Sequence, residues 1–175
     1  MNHRTADELT AALDEIRLSP SASGTVELIV RRPAENEREL LDEGVLNLVE
    51  GLVGDEWHRR GTPNPDAQLT LMNARAAELI TGSRERWPLA GDQLYVDLDL
   101  STDNLPAGTQ LAVGDAVVEV TAEPHTGCAK FSARFGTEAL KFVNKSPGRE
   151  MRLRGVNARV VTPGAVRAGD AITKL

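Results

Sequence analysis

The segment Gln93-Leu94-Tyr95-Val96-Asp97-Leu98-Asp99-Leu100 decides the fold class of this 175-residue chain. Leucine and valine recur at every second position, and Gln, Tyr and Asp fill the positions between them. A period of two is typical of a β-strand with one buried face. We therefore predict a strand here, and the pattern stays dominated by strands from this point to the C-terminus.

Similar short runs lie on both sides of this segment. We predict further strands at residues 25–31, 68–72, 110–113, 116–122 and 155–162. Glycine and proline pairs separate them, as turns do. Residues 37–50 fit neither the helical nor the strand period, and their state stays open. Short strands without regular βαβ alternation indicate an α+β domain that is mostly β, in the form of a mixed β-barrel.

The predicted helices are few and short. Thr5-Ala6-Asp7-Glu8 has the spacing of a capping box and starts a helix over residues 5–17. Asn73 is the predicted N-cap of a helix that stops at Gly82. Residues 131–136 and 138–144 are predicted as a helical turn and a short helix.

The predicted organisation is an N-terminal helix and turn in residues 1–24, followed by one barrel domain over residues 25–175. With 41% hydrophobic residues the chain can bury one core. It shows neither a signal peptide nor a run of membrane-spanning length, so we expect a soluble, cytoplasmic protein without a membrane partner.

The charge is unevenly distributed along the chain. The net charge of −6 argues against a nucleic-acid partner, because phosphate binding needs a surplus of clustered Lys and Arg. Residues 128–154 nevertheless contain seven basic and two acidic residues. Such a segment in an acidic protein suits a small anionic ligand. A solvated basic face paired with acidic neighbours is the alternative.

Cys128 is the only cysteine and the first candidate for a nucleophile or a metal ligand. It stands where a loop is predicted to enter a helix, so free amide N–H groups can stabilise its thiolate. His125, Lys130 and Arg134 lie near it and favour the same form. A single cysteine forms no internal disulfide, and the three scattered histidines lack zinc-site spacing. The alternative is that Cys128 is a small buried apolar residue.

Residues 50–61 form a second candidate segment. They combine three glycines with the consecutive basic residues His58, Arg59 and Arg60, which suit a phosphate that approaches the backbone closely. A turn with surface arginines explains the same composition.

Several short motifs, taken in order, resemble the MOSC domain, which occurs at the C-terminus of molybdenum cofactor sulfurases and as stand-alone proteins. The resemblance covers roughly residues 25–172. The motifs are Gly51-Leu52-Val53-Gly54-Asp55, Gly91 to Asp99, Asn104-Leu105-Pro106-Ala107-Gly108, Leu111-Ala112-Val113-Gly114, Glu123-Pro124 to Cys128, Phe135-Gly136, Gly155 to Val161 and Gly169-Asp170.

The resemblance implies a stand-alone, single-domain member with a barrel like the β-barrel domain of pyruvate kinase. It also implies that Cys128 is the functional residue, either as a ligand to molybdenum of the molybdenum cofactor (molybdopterin) or as a carrier of sulfur. The candidate contacts to the cofactor are His58, Arg59, Arg60, His125, Lys130 and Arg134.

Three hypotheses about function stay open. The first is a molybdenum-cofactor-binding protein, with or without oxidoreductase activity and a redox partner protein. The second is a persulfide carrier, which needs a separate cysteine desulfurase because the chain shows no desulfurase lysine motif. The third is a non-catalytic module that binds an anion or a partner protein. Loss of function on replacing Cys128 separates the first two from the third.

Overall fold

The computed structural model describes residues 2–175, and seven of its strands form a closed mixed β-barrel. The strands are β1 Ser23–Arg31, β2 Glu39–Leu41, β3 Glu43–Asn47, β4 Gly51–Leu52, β5 Leu69–Asn73, β6 Leu94–Asp97, β7 Gln110–Val113, β8 Ala116–Val120, β9 Val156–Thr162, β10 Gly164–Arg167 and β11 Ala171–Lys174. Around the barrel the order is β1, β6, β5, β9, β8, β7 and β11, and β11 pairs again with β1. The β5–β6 pair is parallel and the other barrel pairs are antiparallel. The predicted class, a mostly β mixed barrel with a few short helices, is confirmed.

The α-helices lie against the barrel and cover part of its outer surface. They are α1 Ala6–Ala11, α2 Leu13–Arg17, α3 Ala74–Thr81, α4 Ala129–Phe135 and α5 Thr137–Asn144. A cluster of aliphatic strand residues fills the barrel, and a second cluster joins the helices to the strands. Within residues 2–175 no helix is long and apolar enough to cross a membrane.

The strand that decided the fold class is buried on both faces, not one. Leu94 and Val96 belong to the cluster inside the barrel, whereas Tyr95 belongs to the cluster under the helices and is fully buried. The Tyr95 hydroxyl donates to the carbonyl of Trp87 at 2.6 Å, and the two rings lie 5.7 Å apart. Helical turns over Arg84–Ala90 cover the face that the alternation predicted to be open. The strand itself is also shorter than predicted.

The N-terminal helix begins as predicted and then breaks. The Thr5 hydroxyl accepts from the Glu8 amide at 3.3 Å, and Glu8 accepts from the Thr5 amide at 2.7 Å, which completes the capping box. Ala12 leaves helical geometry at φ −94° and ψ 1°, so the predicted single helix is two helices, α1 and α2. Leu9 before the break and Leu13 after it are both buried.

The segment whose state was open forms strands. Residues 37–50 contain β2, which pairs with β1, and β3, which pairs with β4 and β10 in a separate three-stranded sheet. The chain leaves β4 through Gly54 at φ +86° and reaches the 3-10 turn Trp57–Arg59. The predicted Asn73 cap is confirmed, since its side chain accepts from the Ala76 amide at 3.0 Å.

Candidate functional site

Cys128 is the N-cap residue of α4, at the end of the loop that follows β8, and its side chain is exposed. Asn144 of α5 fixes this loop with two hydrogen bonds: its Oδ1 accepts from the Gly127 amide at 2.8 Å and its Nδ2 donates to the Gly127 carbonyl at 3.0 Å. A side chain at Gly127 would lie 2.8 Å from a methyl carbon of Leu140, so the packing favours glycine here. The position of the thiol is therefore set by α5 as well as by α4.

The setting of Cys128 lowers the pKa of its thiol. The amide N–H of Phe131 contributes most, partial burial opposes it, and the amide of Lys130 and the charges of Arg154 and Lys130 add to the lowering. The Cys128 side chain makes no capping hydrogen bond to α4. The nearby amides and positive charges lower the pKa because they stabilise the negatively charged thiolate. The thiolate is the form that attacks electrophiles and binds metals.

A cleft of about 520 Å³ opens beside Cys128. We call it the Cys128 cleft. Its lining residues are Arg32, Glu35, Asn36, Arg38, Glu56, Arg60, Thr70, Ala90, Gly91, His125, Cys128, Lys130, Phe131, Arg134 and Arg154. Six cationic side chains thus face two glutamates, which makes the cleft positive in an otherwise acidic protein.

Two of these cations have only carbonyl partners. Arg38 donates to the carbonyls of Pro88 at 3.0 Å and Glu37 at 2.6 Å, and Arg134 donates to the carbonyl of Leu89 at 2.7 Å. Burial, followed by the charges of Arg134 and Arg32, lowers the pKa of the Arg38 guanidinium. These positive charges are not neutralised by a carboxylate and would be stabilised by a bound anion.

Arg32 is held more rigidly. Its Nε and Nη2 donate to the two oxygens of Asp55 at 2.9 and 2.7 Å, and Nη1 donates to the Gly91 carbonyl at 3.0 Å. Burial alone would raise the pKa of the fully buried Asp55, but the hydrogen bonds and charge of Arg32 keep it below its ordinary value. This bidentate pair fixes one wall of the cleft.

Asp92, His125 and Arg154 form a second buried network beside the thiol. Asp92 Oδ1 lies 2.8 Å from Nε2 of His125, and its Oδ2 accepts from Nη1 of Arg154 at 2.6 Å. Burial would raise the pKa of Asp92, but the charges of Arg154 and His125 outweigh it and hold the pKa well below the ordinary range. Burial and then the charge of Arg154 lower the pKa of His125, against the opposing effect of Asp92.

These shifts determine the tautomer of His125. Ionised Asp92 only accepts hydrogen bonds, so Nε2 of the neutral ring carries the proton and Nδ1 is left as an acceptor. Gly155, at φ +120°, makes room for this ring, because a β-carbon there would lie 3.0 Å from Cδ2 of His125. The arrangement provides one acceptor nitrogen and one buried guanidinium at the cleft wall.

The structure brings together four of the six predicted cofactor contacts with Cys128. Arg60, His125, Lys130 and Arg134 all line the cleft. Lys130 pairs with Glu35 at 3.0 Å and Arg60 pairs with Glu56.

The other two predicted contacts, His58 and Arg59, do not line the cleft. The nearest carboxylate to the His58 ring is Glu50, at 3.9 Å. The Arg59 guanidinium donates to the carbonyl of Pro33. The consecutive basic residues of this segment therefore point to different places, and Arg60 alone reaches the Cys128 cleft.

Sequence reasoning missed the residues that reach the cleft from distant parts of the chain. Arg32, Arg38, Asp92 and Arg154 were not among the predicted contacts. For Asp92 there was a signal, since Gly91-Asp92 begins one of the motifs on which the family resemblance rests. No local sequence pattern marked Arg32 or Arg38 as lining residues of the cleft. Among residues 2–175 no group of three or more His, Cys, Asp or Glu side chains is arranged to hold a metal ion.

The fold is a closed mixed barrel, and an exposed thiol lies at a cationic cleft beside it. The family model of the MOSC domain matches residues 55–173, and the chain belongs to this family. The resemblance seen in the sequence is thereby confirmed. Membership is consistent with binding related to the molybdenum cofactor.

Solved structures share the fold at low sequence identity. The YUAD protein from Bacillus subtilis is 17% identical with a TM-score of 0.58, over 86% of this chain and 94% of that one. YiiM from Escherichia coli is 21% identical with a TM-score of 0.56, over 86% and 69%. YiiM from Geobacillus stearothermophilus is 15% identical with a TM-score of 0.51, over 89% and 73%. No curated protein matches the chain significantly.

Proposed function

We propose that this protein binds the molybdenum cofactor, or a closely related anionic pterin, in the Cys128 cleft, with Cys128 as the sulfur ligand to the metal. The observation that carries the proposal is an exposed thiol of lowered pKa in a cleft lined by six cationic side chains. Soft thiolate ligands suit molybdenum better than the oxygen ligands that hard cations prefer.

The residues of the cleft fit such a ligand in size and charge. A volume of about 520 Å³ is within the usual range for small-molecule sites. Arg38 and Arg134 offer guanidinium groups without carboxylate partners, and a guanidinium group can bind a phosphate group with two parallel hydrogen bonds. When bound, the cofactor supplies the redox chemistry, and the protein supplies its position and the surrounding charges.

The protein's own groups have separable roles in this proposal. Cys128 holds the metal end, and Arg38 and Arg134 hold the phosphate end. His125 presents a hydrogen-bond acceptor at Nδ1, while buried Asp92 fixes its ring. Arg60 and Lys130 are already paired with Glu56 and Glu35, so they contribute to the overall positive potential more than to a specific contact.

Purification from a host that makes the cofactor tests the proposal. We expect molybdenum and the fluorescent oxidation product of the pterin in wild-type protein, loss of the metal in C128S, and reduced pterin content in the R38Q/R134Q double variant. The control is R159Q, because Arg159 pairs with Glu119 and lies outside the cleft. Wild-type protein without metal, in which Cys128 is reduced and unmodified, would overturn the proposal. Unchanged ligand binding in C128S would indicate a non-catalytic binding module instead.

The exposure of Cys128 also supports a second candidate function, the transfer of sulfane sulfur. A partner protein can reach the thiol directly. In this step the Cys128 thiolate attacks the outer sulfur of a desulfurase persulfide. The new S–S bond forms at Cys128, the donor's S–S bond breaks, and the donor leaves as a thiolate.

Persulfide-specific labelling tests the second candidate. After incubation with an active cysteine desulfurase and free cysteine, intact-mass spectrometry should show one added sulfur on wild-type protein and none on C128S. If Cys128 gains no sulfur while the desulfurase turns over, the transfer function is excluded. Sulfur transfer requires a cysteine desulfurase as the partner and cofactor binding does not, so the two candidates also differ in their partners.

A further inference from the structure

A second cavity, of about 260 Å³, lies next to the Cys128 cleft and shares only His125 and Arg154 with it. We call it the rear pocket. Its cationic residues are Arg149, Arg152 and Arg154, and Glu123 is the only carboxylate in its lining. Neither Arg149 nor Arg152 reaches the Cys128 cleft, so the positive charge here has a separate origin.

The guanidinium groups of the rear pocket retain unused hydrogen-bonding capacity. Arg152 donates through Nη1 to the carbonyls of Leu105 at 2.6 Å and Leu100 at 3.4 Å, and it has no carboxylate partner. Its pKa is lowered by burial. Only 9% of the Arg154 side chain is exposed, and its buried Nε has no hydrogen-bond partner. A buried donor without a partner is costly unless a ligand or water completes it.

The backbone at Arg152 supports a functional reading of this geometry. Its φ is +50°, a left-handed conformation that costs energy for a side chain other than glycine. The conformation is held by the bonds to Leu100 and Leu105, and residues in such conformations concentrate at binding sites. Asn157 is buried in the same lining, and its side chain donates only to the Glu123 carbonyl at 3.1 Å.

We propose that the rear pocket is a second anion site, which binds a small molecule through a phosphate or sulfate group. Three arginines around one cavity match the several oxygens of such a group, because guanidinium groups bind oxyanions in a fork. The cavity is smaller than most sites for drug-sized ligands, so the occupant is a small one. This site goes beyond the proposed function, since it requires neither Cys128 nor a metal.

Titration with inorganic phosphate, followed by amide NMR, tests the proposal. At millimolar phosphate we expect saturable shifts at residues 121–126 and 152–157 in wild-type protein and equally in C128S. Arg149→Glu should raise the Kd for these shifts about tenfold or more, the usual effect of losing a charge-assisted contact. Arg149 is exposed and pairs only with Glu150, so this variant should fold. Arg152→Gln should act in the same direction.

Arg134→Gln is the matched control, because Arg134 lines the Cys128 cleft and not the rear pocket. Its Kd for the rear-pocket shifts should equal that of wild-type protein. The proposal is overturned if no saturable shifts occur in these two segments, or if Arg134→Gln and Arg149→Glu weaken the same shifts equally. Neither result bears on the molybdenum content of the protein, so the two proposals fail separately.

Discussion

The carboxylate of Asp92 binds His125 and Arg154 with its two separate oxygens, at 2.8 Å to Nε2 of His125 and 2.6 Å to Nη1 of Arg154. His125 and Arg154 are the two residues that the Cys128 cleft and the rear pocket share. One fully buried acid therefore positions the partition between the two cavities.

Replacing Asp92 with Asn should destabilise the protein by about 3–5 kcal/mol, because it leaves the buried Arg154 charge unpaired. The measurement is the free energy of unfolding in urea. The matched control is Asp97→Asn, since Asp97 pairs with Arg75 at a partly exposed position, where an ion pair is worth about 0–1 kcal/mol. Equal losses in the two variants would show that the buried network does not carry this energy.

The lowered pKa of His125 predicts a specific pH dependence of stability. Below the ordinary histidine pKa of 6.5 the unfolded chain binds a proton that the folded ring resists, so the free energy of unfolding falls as the pH drops below 6.5. One proton sets an upper limit of about 1.4 kcal/mol per pH unit on this slope. His125→Gln can keep an amide N–H near the position of Nε2 as a donor for Asp92, and it should flatten this slope.

The measurement is the midpoint of urea unfolding of both proteins, taken between pH 5 and 7.5 at pH values ~0.5 unit apart. The other two histidines are present in both and cancel in the comparison. Ionised Asp92 also contributes to the free energy of unfolding. That contribution is lost only as the pH falls below the ordinary Asp pKa of 3.8 towards the lower pKa of the folded state, which is outside this window. Identical slopes would contradict the prediction.

The lowered pKa of the Cys128 thiol predicts that iodoacetamide alkylates it with an apparent pKa below the ordinary value of 9.0. Lys130→Gln should raise that apparent pKa, because it removes a positive charge near the sulfur. Added salt should also raise the apparent pKa of the thiol in wild-type protein, because salt screens this charge. The rate of alkylation, followed by mass spectrometry across the pH range, is the readout.

Lys141→Gln is the control for this charge effect. Lys141 pairs with Glu138 on α5 and lies outside the Cys128 cleft. Its variant should titrate like wild-type protein. A shift as large as that of Lys130→Gln would mean that net charge, and not the local setting, governs the thiol.

Gly155→Ala should cost about 3 kcal/mol of stability, because alanine is strained at φ +120° and its β-carbon meets the Leu71 carbonyl and the His125 ring. Gly169→Ala is the control, since φ there is +92° but nothing lies within 4 Å of the added carbon. It should cost about 1 kcal/mol, the strain alone. Thermal and urea unfolding measure both costs. Equal costs would show that steric contact of the added β-carbon does not destabilise the Gly155→Ala variant.

Features encoded by neighbouring residues were predictable from the sequence. The capping box at Thr5 and Glu8 and the Asn73 cap depend on residues three apart, and the structure contains both. The alternation over residues 93–100 predicted a strand, but not that Trp87 and its helical turns would cover the Tyr95 face. Coverage of a strand by another segment depends on tertiary packing, which a period of two does not encode.

The same distinction applies to the site. His125, Lys130 and Arg134 lie within six residues of Cys128, and sequence reasoning placed them with the thiol. Arg154 meets Asp92 across 62 positions and Arg32 meets Asp55 across 23. Those pairs form only when distant segments fold together, and no local motif marked Arg32 or Arg38.

The pairing that closes the barrel joins β1 to β11, with Ser23 opposite Thr173. Contacts across such a sequence separation form slowly, since the intervening chain must be ordered first. During synthesis on the ribosome, β1 and β7 keep unpaired edges until residues 171–174 emerge, and open edges invite association with other chains. The barrel is therefore completed only after translation has passed its last strand, and a chain shortened before Ala171 should be prone to aggregation.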